Sequence, residues 1–221
     1  ECSGLATMMP FERVKLGTTG LAVPFVELKI SSEGEILLRG ENVFMGYHNQ
    51  PDKTADILRD GWLHTGDIGF VDNEGFVKIT DRMKDIIITA GGKNITPSEI
   101  ENQLKFSPYI SDAVVVGDKR KFLSCLIMID EDNVVKFAQD HDVPFTNFAS
   151  LTRSEAVIKL IEKEVKGVNE KFARVESIKT FRLIEQQLDS EDEELTPTMK
   201  LKRQLVNVKY KNLIDDMYAA A

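Results

Sequence analysis

Two charged pairs close neighbouring apolar runs in the segment DGWLHTGDIGFVDNEGFVKITDRMKDIII, residues 60–88. The first is Gly66-Asp67 and the second is Asp81-Arg82. A carboxylate at a strand end, beside a glycine that lets a ligand approach the backbone, is suited to accept two hydrogen bonds from vicinal hydroxyls such as a ribose diol. Taken alone, Gly-Asp also makes an ordinary turn, and Asp-Arg an ordinary surface ion pair. His48, His64 and His141 have no ligand spacing to one another or to Cys2 and Cys125, so a metal site built on them is not expected. Lys200 by itself reads as a solvated lysine, the Gly91-Gly92 pair as a plain turn, and the GTTG of residues 17–20 as structural.

The elements that must carry these residues change in kind along the chain. VELKI (Val26 to Ile30), EILLRG (Glu35 to Gly40) and GFVKIT (Gly75 to Thr80) are short β-prone runs separated by turns such as SSEG and DNEG. Repeated hairpins of this kind fit a small barrel or curled sheet, interrupted by one short helix in QPDKTADILRDG. Past Asp85 strands and helices alternate. Thr96-Pro97-Ser98-Glu99 opens a helix: Thr96 can cap, Pro97 suits the first helical position and Ile95 can staple to Ile100. DAVVVGD and FLSCLIMID read as buried strands, NVVKFAQDHD as a helix and SIKTFRLIE as another strand. Residues 154–172 form a helix with Ala156, Ile158, Ile161, Val165 and Val168 on its apolar side. Residues 203–218 form one amphipathic helix with Leu205, Leu213 and Met217 inward, and DSEDEE (189–194) is a solvated, mobile loop.

Composition narrows the classes. The chain has 221 residues, 42% of them hydrophobic, and a formal net charge of −8. There is enough apolar side chain for a core, and no basic cluster that would mark a nucleic-acid surface. The apolar runs are too short to span a bilayer, and the start lacks the pattern of a signal peptide. Cys125, inside FLSCLIMID, reads as a small core residue. A cytoplasmic location follows, with peripheral contact at the inner face of a membrane left open. ECSGLATMMP has no initiator methionine, so the chain reads as a cut piece of something longer.

Taken together, the motifs resemble one family. Residues 60–101 resemble the consecutive A7 and A8 motifs of the adenylate-forming superfamily, and DGWLHTGDIG with DRMKD is most similar to its fatty acyl-CoA synthetase branch. GEILLRGENVFMGYHNQPDKT resembles A6, LTPTMKLKR resembles A10, and ECSG resembles the end of A5. The resemblance implies a mixed α+β fold: a small distorted β-barrel-like subdomain (residues 1–81, the end of a large N-terminal domain), then a mobile α/β lid domain (82–221) with its sheet flanked by helices and a hinge at 82–85.

It also implies roles. Asp67 would bind the ribose hydroxyls of ATP and of an acyl-adenylate, with Arg82 reaching the same nucleotide. Lys84 would be the hinge residue. Lys200 would support attack of a carboxylate on the α-phosphate, where an ammonium offsets gathering negative charge. Gly91 and Gly92 would lie beside the channel for coenzyme A, and Glu1 would match a glutamate associated with magnesium. The implied parent joins a long-chain fatty acid to coenzyme A at the expense of ATP, through its missing N-terminal domain. The present chain lacks the A3 and A4 segments and should be inactive alone. Another adenylate-forming ligase, such as an aryl-CoA ligase or a peptide-synthetase adenylation domain, stays open, as does a non-catalytic nucleotide-binding module.

Overall fold

The computed structural model describes residues 1–186, 188, 192–196 and 202–219. The chain divides into two compact units, Glu1–Asp85 and Ile86–Ala221.

The first unit contains β1 (Thr7–Met8), β2 (Gly20–Ala22), β3 (Val26–Ile30), β4 (Glu35–Gly40), α1 (Pro51–Ile57), β5 (Leu58–Arg59), β6 (Trp62–Val71) and β7 (Phe76–Arg82), followed by a single 3₁₀ turn, Met83–Asp85. Its strands form one antiparallel sheet in the order β1-β2-β7-β6-β4-β3, with β5 paired to β6. The link from β2 to β3 fixes the shape of this sheet. From Ala22 to Val26 the chain can span about 14 Å, whereas a flat sheet would set β2 and β3, four strand spacings apart, about 19 Å from each other. The sheet therefore curls, and Val26 N–H bonds back to Val23 O at 2.9 Å. Val23, Val26, Ile36, Leu38, Leu63 and Val77 fill the interior of the curl.

The second unit contains β8 (Ile87–Ile88), β9 (Asn94–Ile95), α2 (Pro97–Leu104), β10 (Ile110–Val116), β11 (Leu123–Ile129), α3 (Glu131–Asp140), α4 (Phe148–Thr152), α5 (Glu155–Asn169), β12 (Ile178–Leu183), α6 (Arg203–Lys209) and α7 (Lys211–Ala219). β8 and β9 form a hairpin, and β10-β11-β12 form a sheet in which β11 runs antiparallel to β10 and parallel to β12. The two-residue period of a strand sorts its side chains into two layers. Ala113, Val115, Leu123, Cys125, Ile127 and Ile129 meet the buried sides of α2, α3, α4 and α5, while Val114 and Leu126 meet Val206 of α6 and Ile214 and Met217 of α7. β11 is buried along its whole length, which explains why FLSCLIMID shows no alternation. Burial pushes the Cys125 thiol well up from its ordinary range, consistent with an inert core residue.

Several local expectations need correction. Thr96 occupies the position before α2, but its side chain makes no capping bond; Pro97, which needs no N–H partner, and the buried pair Ile95 and Ile100 start the helix instead. The inward face of α5 is Val157, Ile161, Val165 and Val168, with Ile158 exposed; both Val157 and Ile158 have a same-face spacing to Ile161, and the packing of α5 on the sheet selects Val157. The C-terminal segment is two helices that meet at Tyr210, not one. Its buried residues are Val206, Ile214 and Met217, while Leu205 and Val208 face solvent. In the acidic run, residues 189–191 lie outside the described residues. Its end is not a solvated loop, because Glu194 is buried and holds Lys209 at 2.9 Å.

One buried ion pair fastens α6 to the sheet. Glu101 of α2 accepts two bonds from Arg203, at 2.7 and 2.9 Å, and a third from Val115 N–H at 2.7 Å, while Arg203 donates to Val115 O at 2.7 Å. Removing one member of such a pair strands the other charge in the interior. Glu101→Ala is expected to lower unfolding free energy by about 3 kcal/mol, measured by urea denaturation; a loss within error of zero would show that the pair carries no net stabilisation.

Candidate functional site

Asp67 owes its position to a bulge. β4 and β6 pair Leu37 with His64 and next Glu35 with Ile68, so β6 advances from 64 to 68 while β4 advances only from 37 to 35. Two residues of the stretch Thr65 to Asp67 are therefore surplus to the pairing with β4, and Gly66 takes up the turn with φ +70°, a conformation that costs an L side chain about 1–2 kcal/mol. HTGD is therefore neither a strand end nor a simple turn: it is an irregularity in the middle of a ten-residue strand.

Three ties hold the bulge. Glu35, 6% exposed, accepts from Gly66 N–H at 2.9 Å through Oε1 and sits 2.7 Å from His64 Nδ1 through Oε2. The Thr65 hydroxyl donates to Ile36 O at 2.7 Å and accepts from Asp67 N–H at 3.1 Å. Across the sheet Asp67 is the register partner of Arg82, and Arg82 Nε meets Asp67 Oδ1 at 2.7 Å. Arg82 itself is held at its backbone N–H by Asp81 Oδ1 at 2.7 Å. The two residues singled out from sequence thus meet within one unit, on neighbouring strands.

Asp67 and Arg82 line a cavity of about 340 Å³ at the open side of the curled sheet, with Glu1, Tyr47, His64 and Thr65 among its polar walls and Leu28, Ile36 and Leu38 among its apolar ones. Its volume falls within the range of small-molecule sites, roughly 300–1,000 Å³. Burial raises the Asp67 pKa; Arg82 opposes this, and the like charges of Glu1 and Glu35 add to it. A half-buried carboxylate that is held reluctantly charged gains most from new hydrogen-bond donors, which a diol would supply. A larger groove, about 830 Å³, follows β12 and α5 in the second unit and carries side chains of both signs, among them Lys166, Glu162, Lys179 and Glu185. Among the described residues, none of the sequence-derived site residues lines it.

The remaining candidates stand apart from this pair. Lys84 is exposed in the 3₁₀ turn that ends the first unit. Gly91 and Gly92 are exposed at the tip of the β8–β9 hairpin, where Gly92 has φ +74° and its N–H closes a turn onto Thr89 O at 2.8 Å. That tip rests on a neighbouring loop of its own unit through Ala90 N–H to Arg120 O at 2.9 Å. Lys200 lies outside the described residues. Glu1 accepts a short hydrogen bond from the Tyr47 hydroxyl. Among the described residues no three His, Cys, Asp or Glu side chains gather to hold a metal ion. A single carboxylate such as Glu1 suits only a magnesium ion held mainly by nucleotide phosphates and water. Glu35 and His64 went unrecognised as parts of this site in the sequence, although a glutamate opening a run as apolar as EILL was a signal that it had a partner inside.

Residues 84–221 match the family model described as the AMP-binding enzyme C-terminal domain, more than half of the chain. The chain belongs to that family. Over 219 residues it is 40% identical to the long-chain-fatty-acid–CoA ligase FadD15 of Mycobacterium bovis, covering 99% of this chain and 36% of the relative. Over 242 aligned positions it is 38% identical to the human long-chain-fatty-acid–CoA ligase ACSBG1, covering 99% of this chain and 33% of that one. The chain therefore spans about a third of the length of these relatives. Among solved structures, the adenylation domain of a carboxylate reductase from Mycobacterium chelonae superposes with a TM-score of 0.75 at 21% identity, covering 94% of this chain and 34% of that one, a likeness of fold. No helix among the described residues is long and apolar enough to cross a membrane.

The raised Asp67 pKa gives a signed pH dependence. If a ribose diol is held at Asp67 it is held by the ionised carboxylate, so adenosine nucleotide affinity of the full-length protein should fall as pH drops through the raised Asp67 value, starting above the ordinary aspartate range. Calorimetric AMP titrations from pH 7 downward would check this, and Asp67→Asn should remove the limb. An unchanged limb in that variant would assign it to another group.

Proposed function

We propose that this chain is the C-terminal portion of an ATP-dependent, AMP-forming long-chain fatty-acid–CoA ligase. The parent would convert a fatty acid, ATP and coenzyme A to acyl-CoA, AMP and pyrophosphate through an acyl-adenylate, with the upstream two thirds of the protein supplying the acyl and triphosphate sites. The Asp67–Arg82 pair on the cavity wall carries this reading, since it offers a carboxylate for a sugar diol and a fixed cation beside it. The 40% identity to a named fatty-acid–CoA ligase over 99% of the chain favours a fatty acid over an aryl or amino acid as the substrate.

In this reading Asp67 orients the nucleotide by its ribose and Arg82 keeps that carboxylate ionised and aimed. Lys200 neutralises charge as the fatty-acid carboxylate attacks the α-phosphate. Lys84 is the pivot, and its place in a one-turn helix between the two units, where the family match also begins, supports this. Gly91 and Gly92 leave the hairpin tip without side chains, which suits close passage of the pantetheine arm of coenzyme A. Magnesium would accompany ATP, with Glu1 as one carboxylate near it. A cytoplasmic location is part of the same proposal, supported by two free cysteines.

Two substitutions in the full-length enzyme separate the roles. Lys200→Ala should cut fatty-acid-dependent ATP–pyrophosphate exchange by about 100-fold or more, in line with losing one preorganised charge in the transition state; undiminished exchange would remove Lys200 from the adenylation step. Lys84→Pro, which freezes φ at the pivot, should leave exchange largely intact while overall acyl-CoA formation falls at least tenfold, roughly the cost of a blocked conformational step. Normal turnover in that variant would place the pivot elsewhere.

A further inference from the structure

The bulge that presents Asp67 has no reason to persist by itself. It breaks two ladder pairings, and glycine carries the highest backbone entropy of any residue. Something must hold Thr65, Gly66 and Asp67 out of register, and the only charged side chain among the described residues that reaches Gly66 is Glu35. Its two carboxylate oxygens go to two different points of the bulge, Gly66 N–H at 2.9 Å and His64 Nδ1 at 2.7 Å. Its chain position is equally telling. Glu35 begins β4, is itself the register partner of Ile68 at the far end of the irregularity, and is buried at 6% exposure.

We propose that Glu35 is a positioning residue for nucleotide binding: its carboxylate, assisted by the Thr65 hydroxyl, locks the bulge that aims Asp67 into the cavity. The inference rests on the nucleotide reading of Asp67 given above. Glu35 does not itself need to touch the nucleotide, and its role is geometric. One oxygen fixes the Thr65–Gly66 peptide, and the other fixes the imidazole at the start of the bulge. Thr65 completes the lock from within, bonding both Ile36 O and Asp67 N–H. A buried carboxylate costs folding energy unless it is fully hydrogen-bonded. Leucine in its place would be the cheaper core residue, yet would leave the Gly66 N–H unpaired.

Geometry and charge are separable at this position. Glu35→Gln keeps the length of the side chain, an oxygen for Gly66 N–H and an N–H group for His64 in its complementary tautomer. Glu35→Asp keeps the charge but is one methylene too short to reach both points. In the full-length ligase, AMP dissociation constants by calorimetry and the KM for ATP at saturating fatty acid and coenzyme A should rise about tenfold for Glu35→Asp, as for a lost buried hydrogen bond. kcat should change far less, and Glu35→Gln should restore both constants to within about threefold of wild type. Thermal unfolding identifies variants that have lost the fold. Should Glu35→Asp be one of them, Thr65→Val, which cuts the other tie to the bulge, must by itself weaken AMP binding.

Equal weakening by Gln and Asp would overturn the geometric role, as would wild-type binding by a folded Glu35→Asp or, in the fallback, by Thr65→Val. Asp67→Ala keeps the two readings apart. If it binds AMP normally, the nucleotide assignment itself falls. If it binds poorly while a folded Glu35→Asp binds well, only the positioning role falls.

Discussion

The cross-strand contact between Asp67 and Arg82 is the constraint on which the first unit turns. Both residues sit where β6 and β7 pair, and the carboxylate, partly withdrawn from water, gains a counter-charge from the largely exposed Arg82. On its other edge, toward β4, β6 is irregular at the same residues. In a regular strand the residues after His64 would continue the ladder to β4, and the carboxylate would follow the pleat. The bulge moves it to the rim of the cavity, and Glu35 and Thr65 keep it there. The left-handed turn at Gly66, the buried carboxyl of Glu35 and the raised Asp67 pKa then all accompany one arrangement, a carboxylate on a cavity wall in the middle of a sheet. Local departures from the best sheet geometry concentrate where a ligand is to be held.

The second unit is organised differently. Its sheet is sandwiched between two helical layers, and β11, buried at every position, serves both. The hairpin tip with Gly91 and Gly92 is exposed. The last two residues of the A10-like segment are both bonded within the unit: Arg203 is clamped by Glu101 and the strand carbonyl of Val115, and Lys202 N–H bonds Glu194 O at 2.7 Å.

Much of this was legible in the sequence because each level agreed with the next. The strands of the first unit, the helix after Pro97 and the buried pair DAVVVGD and FLSCLIMID follow from β-branched runs, turn residues and a proline start. The order of the A6 to A10 resemblances pointed to the family that the comparison then showed. What escaped was set by long-range contacts. Nothing local says that Val157 and not Ile158 faces inward, since that depends on the rotation of α5 over the sheet. Tyr210 breaks the last helix because α6 and α7 pack separately on one sheet face. Glu194 looked solvated in its acidic run, yet it has Lys209 to meet. Glu35 was hidden for the same reason: its partners lie 29 and 31 positions away.

The most direct test is a chemical double-mutant cycle on the ribose. AMP and 2′,3′-dideoxy-AMP would be titrated against the full-length protein and against its Asp67→Ala variant, with dissociation constants read by calorimetry. The account predicts that wild type prefers AMP by at least about tenfold, the worth of hydrogen bonds to a charged acceptor, and that the preference collapses toward unity without the carboxylate. An equal preference for AMP in both proteins would mean that the diol is read elsewhere and would contradict the account.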